Sequence, residues 1–193
     1  PGYWLYSGGV LSEADKEAFF RLGLASDALY AAVKALDDKI AKANDPSEKA
    51  RLEKLKGKIA IANARLAYQD YKKLFSGPRW DKLKAKGAKP QRLLWASTGT
   101  KNKAYSDVLY IEELIGPDTV NTVPPATLDA FRDHGKARSS LEENLDDARA
   151  ALAGLEQAGI SLDAITDRLV IEGVKLFADA FDKLLGAVAN KRN

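Results

Sequence analysis

The first half of the chain has apolar residues at helical spacing. An amphipathic helix is predicted from Ser26 to about Ala43. Its apolar positions are Leu29, Val33, Leu36 and Ile40. A stop-and-start signal at 44–48 then opens a second, long helix, because Pro46 suits a first helical position. We expect this helix to run to about Phe75, which makes the first half mainly helical.

The second half instead contains short apolar runs bounded by turn residues. Gln91–Ala96 lies between a Gly-Ala-Lys-Pro turn and Ser97, and Asp118–Val123 is closed by two prolines. Both runs predict strands. Helices are predicted between and after them, at Asp107–Ile115, Thr127–His134 and Ser140–Ala158, the last with Ser140 and Glu143 as a capping box. Strands that alternate with helices indicate a parallel sheet, so the fold class is α/β, mainly helical with a small parallel sheet.

Both ends of the chain carry further apolar patterns. Tyr3–Tyr6 is aromatic and is followed by two glycines, which predicts a short strand that could cover an edge of the sheet. From Leu162 to about Ala189 the chain is strongly amphipathic. We expect Phe177 on this last helix and Trp95 in the first apolar run to belong to the core.

Composition narrows the chemistry that the chain can perform. Lysine and arginine number 30 against 27 acidic residues, and the two signs are interspersed, so neither nucleic acid nor a membrane is an expected partner. The chain has no cysteine, which excludes disulfides and thiol catalysis, and its single histidine argues against a metal cluster. No apolar run is long enough to span a membrane. We expect a cytoplasmic protein without a metal site.

Four separated motifs between about Leu55 and the C-terminus resemble the last part of the longer-chain transaldolases. They are Gly57–Ala64, Phe75–Trp80, Gln91–Asn102 and Gly116–Pro124, in the family's order. The resemblance implies descent from an (α/β)8 barrel whose last two strands are the two apolar runs. It also implies a transferase of the pentose phosphate pathway. Such enzymes move a three-carbon ketol unit between sugar phosphates through a lysine Schiff base, without a metal or an organic cofactor, so the resemblance implies that this chain has none.

The same resemblance implies a phosphate site in the loop that follows the first strand. Lys101 would be the cation that meets the phosphate of the substrate, assisted by Ser97, Thr98 and Asn102. A lysine ammonium is a compact point charge and suits a phosphate. We assign no catalytic residue.

The departures from the family bear on catalysis. The chain contains no recognisable Schiff-base lysine segment. Where the family has a strand with a serine and an arginine for the phosphate, this chain has Leu29–Lys34, which favours a helix. Lys34 could replace the nucleophile if it were desolvated, although a surface lysine is the simpler interpretation. His134 is interpreted as a residue that stabilises a helix C-terminus.

Residues 1–46 are therefore predicted to be a rebuilt segment and residues 47–193 a transaldolase-like barrel fragment, together forming one compact domain. Three functional hypotheses remain open. The chain is a remodelled scaffold that does not catalyse on its own, or it takes part in transaldolase activity with the missing strands supplied by another chain, or it is a designed binding module. A sugar phosphate is the expected ligand. An open sheet edge favours a second copy or a complementing chain as partner.

Overall fold

The computed structural model describes residues 25–96 and 98–192. In chain order these residues form α1 (Ala25–Lys42), α2 (Pro46–Glu53), α3 (Ile59–Leu74), α4 (Gly77–Lys84), β1 (Leu93–Ala96), α5 (Leu109–Glu113), β2 (Thr119–Thr122), α6 (Pro125–His134), α7 (Leu145–Gln157) and α8 (Leu162–Arg192). This confirms a mainly helical chain with a small parallel sheet. The predicted strand at Tyr3–Tyr6 lies outside the described residues.

The described residues divide into two compact units. One comprises residues 25–43 and 158–192, and the other comprises Asn44–Gln157. In the first unit α1 packs against α8 through a buried stripe at helical spacing, formed by Ala32, Leu36 and Ile40. The boundary predicted at residue 46, between a rebuilt segment and a transaldolase-like fragment, stays a prediction.

The prediction of one long helix from Pro46 to Phe75 is wrong, because a turn at residues 54–58 separates α2 from α3. Gly57 has φ +74°, in the left-handed region that glycine adopts readily. A Cβ at this position would lie 3.3 Å from the ring of Tyr105. A tertiary contact therefore reinforces the turn at Gly57, and helical periodicity alone does not reveal it.

The sheet consists of β1 and β2, which pair in parallel with Trp95 opposite Asn121. Leu93 and Trp95 pack against the core of the second unit, so the prediction that Trp95 belongs to the core is confirmed. The buried members of this core are Ile61, Tyr68, Tyr71, Leu114 and Leu141. Strand alternation directs Leu94 to the opposite face of the sheet. Each strand is shorter than its predicted run by two residues.

Helix α7 starts at Leu145, five residues after the predicted start at Ser140. The capping box with Glu143 does not form, because Ser140 is fully buried and its side chain hydrogen-bonds to the segment after α5. Its Oγ accepts a hydrogen bond from the backbone N–H of Ile115 at 3.1 Å, and its own N–H donates to the Ile115 carbonyl at 3.0 Å. Ser140 thus joins the chain after α5 to the chain before α7.

The prediction that Phe177 is a core residue is also wrong. Phe177 is 77% exposed, and every residue from 174 to 191 on α8 is exposed. The amphipathic pattern is present, but the described residues provide no cover for its apolar face. None of the described helices is long and apolar enough to cross a membrane.

His134 lies in the last turn of α6, where its ring bridges two carboxylates. Its Nε2 is 2.9 Å from Asp107 Oδ1, and its Nδ1 is 3.1 Å from Asp133 Oδ2. The hydrogen bond to Asp107, followed by that to Asp133, raises the pKa of His134. The bond to His134 in turn lowers the pKa of Asp107. The interpretation of His134 as a residue at a helix C-terminus is confirmed.

We expect the histidine resonances to titrate above the ordinary imidazole pKa of about 6.5. Because the folded pKa is raised, the added stability is present below that ordinary value and is lost as the pH rises through the folded pKa. The single histidine makes an NMR titration unambiguous. Asp107→Asn should lower the pKa of His134 more than Asp133→Asn does. An unchanged titration in the Asp107 variant would contradict the assigned contact.

Candidate functional site

Polar side chains converge where the two parallel strands end. Thr98 follows β1, is only 5% exposed, and donates from Oγ1 to Asn121 Oδ1 on β2 at 2.8 Å. The hydroxyl of Thr122 donates to the Trp95 carbonyl at 3.2 Å. These two bonds hold the carboxyl ends of β1 and β2 together. In α/β barrels this end of the sheet carries the chemistry.

The loop after β1 packs against the start of α6. A Cβ on Gly99 would lie 3.1 Å from Thr127 Oγ1 and 3.3 Å from Pro124 Cγ. Pro124 is the N-cap of α6 and has no side-chain acceptor, and Leu128 supplies the first helical hydrogen bond to its carbonyl. The free backbone amides of a helix start attract anions. The loop thus lies beside the N-terminus of α6, a helix of ten residues whose N-terminus has no side-chain cap.

Thr100 adds an unused polar group to this loop. Its Oγ1 is buried and has no hydrogen-bond partner among the described residues, and the same holds for Nε1 of Trp95, the next-to-last residue of β1. Buried polar atoms in native proteins are nearly always hydrogen-bonded, so an unpaired one calls for an explanation. A bound ligand is one such explanation for the hydroxyl of Thr100.

The other residues expected to bind phosphate have different surroundings. Lys101 is exposed, so its ammonium is available to a ligand. Asn102 Oδ1 accepts the backbone N–H of Ala104 at 2.9 Å and so shapes the loop itself. Ser97 lies outside the described residues. The structure therefore brings Thr98 and Lys101 into one loop and gives Asn102 a structural contact.

The sequence assigned no role to three residues of the site, namely Thr100, which lies in the expected loop, and Asn121 and Thr127, which lie outside it. The strand register could have indicated Asn121, because it lies opposite Trp95 and each of them is the next-to-last residue of its strand. Thr100 was passed over because burial of a loop hydroxyl is a tertiary property. Thr127 is expected to begin a helix, but that helix begins two residues earlier, at Pro125, and the proximity of Thr127 to Gly99 follows only from the fold.

Two further features do not add to the site. Lys34 is exposed on α1, so the surface-lysine interpretation is confirmed. An open cleft of about 370 Å³ lies elsewhere in the second unit, between α3, α7 and Tyr105. Its buried cation, Arg65, is already paired with Glu113 at 2.6 Å. Residues 25–96 and 98–192 contain no group of histidine and acidic side chains suited to a metal ion.

Comparisons with known proteins point to the same family as the motifs around the two strand ends. The family model described as Transaldolase/Fructose-6-phosphate aldolase matches residues 28–188. The chain is 48% identical to the transaldolase of Trichodesmium erythraeum over 158 residues. These residues are 81% of this chain and 42% of the relative. It is 49% identical over 150 residues to transaldolase 2 of Nostoc punctiforme, covering 77% of this chain and 39% of the relative.

A transaldolase of Neisseria meningitidis serogroup A is 53% identical over 133 residues, which are 69% of this chain and 38% of the relative. The chain thus spans less than half the length of these relatives. The match nevertheless extends over most of the chain and includes β1, the loop after it, β2 and α6. This chain therefore belongs to the transaldolase/fructose-6-phosphate aldolase family.

Proposed function

We propose that this chain is a transaldolase-derived piece that binds the phosphate group of a sugar phosphate and does not catalyse on its own. The observation that carries the proposal is the buried, unpaired hydroxyl of Thr100, between the strand-end bond of Thr98 and the exposed ammonium of Lys101. In family terms β1 and β2 are the last two strands of a barrel. Barrel enzymes frequently bind phosphate in the loops after these strands and at the N-terminus of a short helix.

Each residue has a distinct part in the proposed site. The hydroxyl of Thr98 donates its hydrogen bond to Asn121 and so positions the loop. It therefore has no proton left to donate to a phosphate oxygen. Thr100 keeps its proton and can donate it. Lys101 contributes the positive charge, and the amides at the start of α6 complete the set of donors. The phosphate is thus bound by donors from two consecutive βα segments.

The sequence supports the proposed absence of catalysis. A transaldolase reaction requires a lysine that forms a Schiff base with the ketose, and such a lysine is made nucleophilic by desolvation. The chain has no segment that resembles the family's lysine strand, and Lys34 is exposed. The phosphate site is therefore proposed as the retained function.

Binding and catalysis can be tested separately. We expect fructose 6-phosphate and inorganic phosphate to bind in calorimetric titrations, and fructose to show no binding. Lys101→Ala should weaken phosphate binding about tenfold or more, as loss of one charge-assisted contact predicts. The neighbouring exposed Lys103 offers a matched control, because Lys103→Ala removes the same charge from the same loop. Equal losses in both variants would indicate non-specific attraction and contradict the site.

Catalysis is tested by borohydride trapping with fructose 6-phosphate. We expect no covalent adduct, because no lysine of the family's type is present. A stoichiometric adduct on any lysine would overturn the non-catalytic proposal and leave the binding proposal intact.

A second candidate function is transaldolase activity with the other strands supplied by a separate chain. The two-stranded parallel sheet favours it, since each described strand has only one partner and the unpaired backbone groups of a strand edge can pair with a strand of another chain. Mixing this chain with the remainder of the Trichodesmium erythraeum transaldolase chain should then restore ketol transfer. The control is the same mixture with Lys101→Ala. No activity in the wild-type mixture, with both parts folded, would reject this candidate.

A further inference from the structure

The open cleft between α3 and α7 is a feature of the second unit that the proposed function does not use. Its volume of about 370 Å³ is at the lower end of the range of small-ligand sites. Small side chains on the two helices leave this space, namely Ala62, Ala148 and Ala151. Thr98, Thr100 and Lys101 do not line it. The cleft is therefore separate from the phosphate site and has room for a small molecule.

The start of α3 forms one end of the cleft, which Gly57, Lys58 and Ile61 line. The N–H of Ala62 donates the first helical hydrogen bond, to the Lys58 carbonyl at 2.8 Å, so the amides of residues 59–61 have no partner within the helix. No side chain caps this start, and its first turn contains no acidic residue. The helix dipole adds partial positive charge. This end of the cleft therefore attracts an anion.

The buried guanidinium of Arg65 is a second and independent feature that calls for an anion. Arg65 lines the same cleft, two turns along α3 from Lys58, and is only 6% exposed. Its Nη2 pairs with Glu113, but its Nε is buried and has no hydrogen-bond partner among the described residues. Buried polar groups are nearly always hydrogen-bonded, so this N–H lacks an acceptor. Because side chains on a helix lean toward its N-terminus, the guanidinium is directed toward the start of α3.

We propose that the cleft binds a small organic carboxylate with a flat apolar body. Its carboxylate accepts hydrogen bonds from Arg65 and from the start of α3, and the exposed ammonium of Lys58 adds positive charge at the rim. Its body lies against Ile61, Leu109 and the half-buried ring of Tyr105, which line the cleft. Sites for small molecules commonly combine such an apolar lining with a few polar groups that fix the orientation of the ligand.

The charges around the cleft favour a carboxylate over a phosphate. Glu113 accepts hydrogen bonds from both Arg65 and Arg138, so its own charge is compensated. Asp147 places a further carboxylate at the rim, and its repulsion grows with the negative charge of the ligand, which disfavours a phosphate dianion. The planar guanidinium of Arg65 matches the geometry of a carboxylate. Burial of an apolar body adds binding energy that inorganic phosphate cannot supply.

An NMR titration of the full chain with benzoate tests the proposal. We expect benzoate to shift the amide signals of residues 59–61 and the ring signals of Tyr105. Benzylamine has the same ring with a positive charge and should leave these signals in place, as should inorganic phosphate. Phosphate binding in the loop after β1 is read from other signals, those of Thr100 and Lys101, so the two proposals fail separately. Equal shifts from benzylamine or phosphate, benzoate shifts confined to the loop after β1, or no shift at millimolar benzoate would overturn the proposal.

Substitutions test the two donors. Lys58 and Lys54 are exposed lysines of the same turn, and only Lys58 lines the cleft. Lys58→Ala should weaken benzoate binding about threefold or more, and Lys54→Ala should change it less than about twofold. Arg65→Lys keeps the charge beside Glu113 but removes the Nε–H, so we expect a loss of about tenfold or more. Equal affinities of the two lysine variants would overturn the proposal, even if Arg65→Lys fails to fold, and so would unchanged affinity in a folded Arg65→Lys protein.

Discussion

Leu141→Ala is expected to lower the free energy of unfolding by about 2–5 kcal/mol, the range for truncation of a buried leucine. Leu141 has no exposed surface and belongs to the core that joins α3 to the sheet. It also fills the space beside Gly116, where a Cβ would lie 2.6 Å from Leu141 Cδ2. Because the neighbouring groups are closely packed, they can move little into the cavity that Leu141→Ala leaves. We therefore expect a loss in the upper part of this range.

Urea unfolding followed by circular dichroism measures this loss. Leu176→Ala, on the exposed side of α8, is the matched control and should change stability by less than about 0.5 kcal/mol. Gly116→Ala should also destabilise, by about 1–3 kcal/mol, because it overpacks the same space. The double variant should lose less than the sum of the two single losses. Additive losses would mean that Leu141 does not occupy the space beside Gly116.

The contrast between Leu141 and Phe177 shows what hydrophobic patterning can and cannot predict. The alternation of apolar runs and turns located both strands, since a buried strand needs apolar residues and a defined end. The pattern on α8 was equally clear and yet gave the wrong burial for Phe177. Periodicity identifies the face that a helix would bury, but it does not identify the element that buries this face.

Helix boundaries were missed where a distant contact overrides a local preference. Ser140 has the spacing of a capping residue, but its hydroxyl accepts the amide of Ile115, which lies 25 residues away in the chain. Gly57 lies within a helical pattern, but it turns the chain beside Tyr105. Local signals compete with such contacts and lose where the contact is buried.

The candidate site shows the same division. The position of the loop after β1 follows from strand ends, which the sequence reveals. The separate roles of Thr98 and Thr100 do not follow, because each depends on which hydroxyl finds a partner across the sheet. Residue type predicted a polar loop, and only the fold distinguishes the residue that positions the loop from the one that is left to bind.

The ion pair of Arg65 and Glu113 is the second place where we expect a large effect. Arg65 is only 6% exposed, and its Nη2 donates to Glu113 Oε2 at 2.6 Å. Glu113 also accepts from Arg138 Nη2 at 2.7 Å, so one carboxylate serves two guanidinium groups. Removal of one partner from a buried pair leaves an uncompensated charge and costs about 3–5 kcal/mol.

The two partners should therefore respond unequally to mutation. Glu113→Ala leaves Arg65 buried without its carboxylate, so we expect the full loss of about 3–5 kcal/mol. Arg65→Met leaves Glu113 partly exposed and still paired with Arg138, so the expected loss is about 1–2 kcal/mol. The exposed pair Lys72–Glu142 supplies the control, and Lys72→Met should cost at most about 1 kcal/mol.

The double variant Arg65→Met/Glu113→Ala distinguishes two cases. Either the ion pair itself stabilises the fold, or Glu113 is needed only to neutralise the buried charge of Arg65. If the cost of Glu113→Ala comes from the charge left on Arg65, adding Arg65→Met to Glu113→Ala should recover part of the lost stability, because no buried charge remains. The unfolding free energies of the four proteins form a double-mutant cycle, in which the expected coupling is about 0.5–3 kcal/mol. Equal losses in the two single variants, with no coupling, would show that the burial of Arg65 does not depend on Glu113.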